Sequence, residues 1–274
     1  MNRIKMKKQE DYKKRYIGVF DSGLGGLTVL EHLYKLMPDE NYIYLGDNAR
    51  VPYGTKSADT IKLYSKQAVE FLKKFPLKFI VIACNTASAI ALESVQKVAG
   101  DIPVIGMIRP ASEAAISISG NKKVGIIATD ATIRSGAYKK ELLGFNQDIK
   151  LREKACPLFV PLVESGFVEH KATELIIEEY LCEMRTVDVL IFACTHYPFL
   201  KKQIQSYLGG VQIIDSGENA ANKVLKNLKN SNNLSNDKGS EIILFTTDYP
   251  NNFIDTAKNF LSFDIGIVEK IRID

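Results

Sequence analysis

Leu190-Ile191-Phe192-Ala193-Cys194-Thr195-His196-Tyr197-Pro198 is an apolar run that stops abruptly on a thiol, a hydroxyl and an imidazole. A short continuous apolar run bounded by turn residues fits a strand buried on both faces. An earlier stretch has the same design: Phe79-Ile80-Val81-Ile82-Ala83-Cys84-Asn85-Thr86. Each reads as a strand that delivers, at its C-terminal end, a cysteine preceded by Ala and followed by a hydrogen-bonding side chain. Strands of this kind belong to parallel sheets covered by helices on both faces, and such sheets bind ligands beyond the carboxyl ends of their strands. The two stretches thus set the fold class and place two thiols where a small substrate would sit.

Outward from these stretches, strand and helix patterns alternate. Tyr16 to Phe20 reads as a strand that runs into the turn-rich loop Asp21-Ser22-Gly23-Leu24-Gly25-Gly26. A helix follows from Leu27 to Met37, a strand from Tyr42 to Leu45, and an amphipathic helix from Ala58 to Lys74. The second half repeats the scheme, with a strand at Lys123 to Ala128, a helix at Arg134 to Leu143 and the strand that ends on Cys194. Ile17-Gly18-Val19 matches Val124-Gly125-Ile126, Val51-Pro52 matches Val160-Pro161, and Ala83-Cys84 matches Ala193-Cys194. All three matches fall near one offset of about 110 residues, as an internal repeat requires. The expectation is an α/β protein of two pseudo-symmetric, doubly wound parallel-sheet domains with the active site between them. The tail, with a strand at Glu241 to Phe245, a helix at Phe253 to Phe260 and a strand at Ile265 to Glu269, is expected to return to the first domain. That gives a discontinuous first domain of residues 1–108 plus 218–274 and a second of residues 109–217.

Composition narrows the class. The 274 residues are 46% hydrophobic, enough for a packed core, and the net charge of +4 is too mild to argue for nucleic acid. Residues 1–15 are polar and basic with no apolar run, so they read as a flexible extension and neither a secretory signal nor a membrane span. The four cysteines, Cys84, Cys156, Cys182 and Cys194, form no C-x-x-C pair. Without a signal segment the expected compartment is the reducing cytoplasm, where thiols stay free.

A thiol that acts as a base must be at least partly thiolate, and the amides of a helix that follows the strand would help to lower its pKa. One thiolate removing a proton while the opposite thiol donates one inverts a stereocentre without a cofactor. Ser22, Asn85, Thr86 and Thr195 are suitable donors for the carbanion. Asp21, Glu164 and His196 can orient the thiols or carry their protons. His32, His170 and His196 are the only histidines, and their scatter argues against a metal site. Gly23-Leu24-Gly25-Gly26 fits neither a P-loop nor G-x-G-x-x-G. It reads as a tight strand-to-helix turn, or as a loop whose amides approach a carboxylate.

Seven blocks, in order along the chain, resemble glutamate racemases of the Asp/Glu racemase superfamily: residues 20–28, 44–54, 83–88, 135–138 (Ser-Gly-Ala-Tyr), 163–166 (Val-Glu-Ser-Gly), 193–198 (Ala-Cys-Thr-His-Tyr-Pro) and 215–217 (Asp-Ser-Gly). The resemblance implies a cofactor-independent two-base racemase of glutamate, commonly a homodimer, that supplies D-glutamate for peptidoglycan. It implies that Cys84 deprotonates D-glutamate with the help of Asp21, and that Cys194 deprotonates L-glutamate with the help of Glu164 and His196. It further implies substrate contacts from Asp21, Ser22, Tyr53, Gly54, Asn85, Thr86, Thr195 and His196, with no metal, nucleic acid or membrane involved. Arg109-Pro110-Ala111, at the suspected domain crossing, and Thr246-Thr247-Asp248-Tyr249-Pro250 depart from the family pattern. On the same scaffold, a racemase of another small acidic amino acid or of a hydantoin remains open. So do a non-catalytic two-lobed binding protein and a thiol redox sensor.

Overall fold

The chain is described by a computed structural model covering residues 15–119, 122–248, 257–258, 261–263, 265 and 268–273. The N-terminal extension, Tyr249-Pro250 and most of the expected helix Phe253 to Phe260 lie outside the described residues.

In chain order the first elements are β1 (Tyr16–Asp21), α1 (Leu27–Leu36), β2 (Asn41–Gly46), α2 (Ala58–Leu72), β3 (Leu77–Ile82), α3 (Asn85–Ala99), β4 (Val104–Ile105) and α4 (Ile108–Ile118). Then come β5 (Lys123–Ala128), α5 (Asp130–Ser135), α6 (Ala137–Phe145), β6 (Lys150–Ala155), α7 (Phe159–Glu164), α8 (Lys171–Leu181), β7 (Val189–Ala193), α9 (Lys201–Leu208) and β8 (Gln212–Asp215). The described elements end with α10 (Ser216–Asn230), β9 (Ile242–Thr246) and β10 (Val268–Lys270).

The strands form two sheets, one ordered β10-β9-β2-β1-β3-β4 and the other β6-β5-β7-β8, and all their pairings are parallel. The core of the first sheet, β2-β1-β3-β4, has the same order as the whole of the second. The repeat read from the sequence is therefore a repeat of topology: β1 corresponds to β5 and β3 to β7. In each sheet the first strand and the thiol-bearing strand are neighbours, at the point where the strand order reverses, which is where ligands enter such sheets. β1, β2, β3 and β7 are buried along their whole length, as their apolar runs require. Each sheet has apolar clusters on both faces: Val19, Leu30 and Tyr44 on one side of the first and Phe20, Ile61 and Ile80 on the other, with Phe159, Leu190 and Tyr197 against Ile126, Tyr138 and Ile191 in the second.

Two local expectations are corrected. The single helix from Arg134 to Leu143 is two helices, α5 and α6, because Gly136 takes the left-handed conformation (φ 65°) and turns the chain between them. Arg109-Pro110-Ala111, at the suspected crossing, forms the first turn of α4, where a proline costs no helical hydrogen bond. After Cys194 the chain enters a 3-10 turn, Tyr197–Leu200, before α9, so no α-helix starts at this thiol. Among the described residues no helix is long and apolar enough to cross a membrane.

Candidate active site

Cys84 leaves β3 as the N-cap of α3, and its Sγ accepts from the Ala87 amide at 3.4 Å. Asp21 ends the neighbouring β1. Its Oδ2 accepts from the Gly23 amide at 2.9 Å, while Oδ1 is buried and has no hydrogen-bond partner. The glycine loop makes this packing possible: a Cβ on Gly26 would stand 2.3 Å from the Asp21 Cβ. Burial raises the Asp21 carboxyl above its ordinary value, against the opposing pull of His196 and of the loop amides. Burial and the adjacent Asp21 push the Cys84 thiol up to about 12, although the Ser22 hydroxyl and the Ala87 amide pull the other way. The expected lowering by helix amides is thus present but loses to desolvation, which for a buried thiol is the larger effect.

Cys194 leaves β7 with its Sγ 4.0 Å from His196 Nδ1, and His196 Nε2 lies 3.0 Å from Glu164 Oε1 at the end of α7. Burial alone would disfavour a charged imidazole. The hydrogen bonds to Cys194 and Glu164 outweigh it and push His196 up to about 10. This pair touches the first lobe, since a Cβ on Gly25 would stand 2.3 Å from Thr195 Oγ1 and 2.6 Å from His196 Nδ1. Thr28 Oγ1 adds a bond to the Thr195 carbonyl at 3.3 Å. The two thiols are near enough to feel each other's charge, and all four cysteines are free.

The remaining expected residues gather around the same strand ends. Thr86 Oγ1 is 2.9 Å from Thr129 Oγ1 and 3.1 Å from Thr132 Oγ1, both in the second lobe. Gly54 packs on Thr129, and Tyr53 is close enough to Cys84 for the thiol's charge to bear on its phenol. The Tyr53 hydroxyl itself is engaged, donating to Asp47 Oδ2 at 2.6 Å. Asp47 is a residue the sequence reading missed. Fully buried, it also accepts from Arg50 Nε at 2.7 Å and from Thr247 Oγ1 at 3.0 Å, tying the loop after β2 to the end of β9. Its signal was its place just past a buried strand. Tyr138 and Ser216, read only as parts of matching blocks, both bond to Asn85. His170 caps α8, accepting from the Ala172 amide at 3.1 Å, and His32 pairs with Asp215 at 3.3 Å. Among the described residues no three His, Cys, Asp or Glu side chains cluster as a metal site needs.

The arrangement defines a class: a two-lobed α/β protein that presents one buried thiol from each lobe, each with an acid or imidazole beside it. The family model described as Asp/Glu/Hydantoin racemase matches residues 25–224, and the chain belongs to that family. Within it, the similarity is to glutamate racemases. The glutamate racemase of Chlorobaculum parvum is 43% identical over 260 residues, covering 93% of this chain and 95% of that protein. The crystal structure of the Bacillus anthracis glutamate racemase isoform RacE1 superposes with a TM-score of 0.91 at 37% identity, covering 94% of this chain and 98% of that one. The Francisella tularensis glutamate racemase, solved in complex with D-glutamate, gives a TM-score of 0.90 at 39% identity, with coverage of 95% and 98%.

Proposed function

We propose that this chain interconverts L-glutamate and D-glutamate by two-base proton transfer between Cys84 and Cys194, without a cofactor. The observation that carries the reading is the pair of buried thiols at equivalent strand ends of two facing lobes, in a chain that belongs to a racemase family. One thiolate takes the α-proton from one face of glutamate and leaves a planar carbanion. The opposite thiol gives its proton to the other face, so the bond to hydrogen is remade with inverted configuration. Cys84 serves D-glutamate and Cys194 serves L-glutamate. A thiol with a pKa pushed up by burial is seldom ionised, but its thiolate is the stronger base, which suits so weak an acid as an α-C–H.

In this reading Asp21, whose charge bears on the Cys84 thiol, takes the Cys84 proton, and His196, backed by Glu164, exchanges protons with Cys194. Ser22, Asn85, Thr86 and Thr195, with the Tyr53-Gly54 backbone, hold the substrate carboxylates and the developing negative charge. We assign residues 1–108 plus 218–274 to one domain and 109–217 to the other, and place the enzyme in the cytoplasm as a homodimer supplying D-glutamate for peptidoglycan.

The test is solvent deuterium exchange: purified protein with L-glutamate in heavy water, without pyridoxal phosphate, should yield α-deuterated D-glutamate. Binding of glutamate without exchange would identify a binding protein instead. Exchange with aspartate or a 5-substituted hydantoin but not with glutamate would assign a different substrate.

A further inference from the structure

Asn85 directly follows the Cys84 thiol, yet its side chain is held by residues outside its own lobe's sheet. Its amide oxygen accepts from the Tyr138 hydroxyl at 2.7 Å, and its amide nitrogen donates to the Ser216 hydroxyl at 3.0 Å. The Ser216 hydroxyl lies near enough to the Tyr138 phenol to act on it in turn. The three groups close a ring in which Asn85 is bonded to both hydroxyls. Tyr138, Asn85 and Ser216 are each only 2% exposed, so the ring has no solvent to replace a lost partner. Burial raises the Tyr138 phenol above its ordinary value, which keeps it a donor at any working pH. The ring also spans the molecule: Asn85 opens α3 of the first lobe, Tyr138 lies on α6 of the second, and Ser216 opens α10 immediately after β8. An asparagine amide has two N–H donors. Ser216 takes one, and the other has no partner among the described residues.

We propose that Tyr138 is a positioning residue for the substrate: from the second lobe it holds the Asn85 amide so that its remaining N–H meets a glutamate carboxylate on the Cys84 side. The inference rests on the proposed racemase function for its ligand. The ring requires both lobes in contact, so the donor is set only when they come together. Thr86, the next residue, repeats the pattern through its bonds to Thr129 and Thr132, so the first two side chains of α3 are both held by residues of the second half of the chain.

The experiment uses the full chain carrying Tyr138→Phe, which removes one hydroxyl and keeps the ring's volume, and Ser216→Ala, which opens the same ring elsewhere. Racemisation from both enantiomers and the dissociation constant of D-glutamate by calorimetry are measured together with Tm. A contact made equally in ground and transition states shows in KM with kcat preserved. Tyr138→Phe should therefore raise KM and the dissociation constant about tenfold with kcat within about threefold, the size of one buried hydrogen bond. Ser216→Ala should shift both in the same direction, by less. Unchanged binding with a fallen Tm would make Tyr138 a packing residue and overturn the inference, as would a loss confined to kcat. Should Tyr138→Phe not fold, Ser216→Ala decides: unchanged binding overturns it. If the wild type binds glutamate without racemising it, the proposed function fails, and the dissociation constants still judge the positioning role.

Discussion

The two thiols occupy equivalent places in their sheets and very unequal surroundings. Cys84 caps a helix and sits beside Asp21, both buried, and desolvation dominates both. Cys194 has no helix starting at it. Its partner His196 leads outward to Glu164, whose side chain is 44% exposed. One side ends on a buried carboxyl and the other is wired to water through an exposed one. The repeat explains the shared backbone, while on the proposed mechanism the side chains past each strand end decide how each base recovers its proton. The lesson is that a pseudo-symmetric fold does not imply symmetric chemistry, and each side can be broken separately.

The largest effect should come from the thiols themselves. Cys84→Ser and Cys194→Ser should each lower racemisation in both directions by on the order of 10³-fold or more, the range of general acid–base catalysis. Because the enantiomers have equal free energy in water, kcat/KM must fall equally in both directions, so direction cannot reveal which base is lost. A glutamate analogue with a leaving group at its β-carbon can, since elimination needs one base. Cys84→Ser should still eliminate from the L-analogue and Cys194→Ser from the D-analogue. Full racemase activity in either serine variant would end the two-thiol reading.

The helpers come next. His196→Asn should cost about 10²-fold, and Glu164→Gln, altering a half-exposed partner, about tenfold. In heavy water, label should enter the remaining substrate pool faster from L-glutamate than from D-glutamate, because on the proposed mechanism the proton taken by Cys194 exchanges with solvent through Glu164 faster than that taken by Cys84. Equal wash-in from both enantiomers would refute the contrast between the two sides. Asp21→Asn should lower the rate about tenfold or more and at the same time raise Tm. The buried Oδ1 has no hydrogen-bond partner in the folded state, and removing a poorly compensated buried charge typically gains about 1–3 kcal/mol. A destabilised Asp21→Asn would show that the carboxylate is better satisfied than its contacts indicate.

What could be read from the chain follows the same division. Both thiol strands were legible because burial on two faces leaves only apolar residues until the polar stop at Cys84 or Cys194. β6 was not: Lys150-Leu151-Arg152-Glu153-Lys154-Ala155 is an edge strand, partly exposed along its length, and charges are what guard an exposed edge. The difference between the thiols' surroundings was half legible. His196, two residues from Cys194, is a local signal. Glu164 lies 32 positions away, and only the fold or a family resemblance puts it beside the imidazole. Asp47, Tyr138 and Ser216 act through contacts between elements far apart in sequence, and no spacing rule reports those. The expected lowering of the Cys84 pKa went wrong because helix amides can be read from a strand-to-helix boundary, whereas the depth of burial cannot.

The smallest effect is the most specific to the wired side. The bonds to Cys194 and Glu164 push His196 up to about 10 when folded, from an ordinary value of 6.5, so the folded state holds the extra proton. Stability from this pairing is therefore fully present below about pH 6.5 and is lost as pH rises through about 10. The Tm difference between wild type and His196→Gln should be constant up to about pH 6.5, on the order of 4 °C for a chain of this size, and should close progressively towards pH 10. Other groups that titrate in this window contribute to both proteins and cancel in the difference, apart from those that His196 itself touches. Glu164→Gln separates these, because with the carboxylate gone the imidazole keeps only its contact to Cys194. The window over which the difference closes should then slide to lower pH while its shape persists. A difference that widened with pH would mean that His196 is neutral when folded, held by Cys194 as a thiol donor, and the relay from Cys194 to Glu164 would have to run in the opposite proton direction.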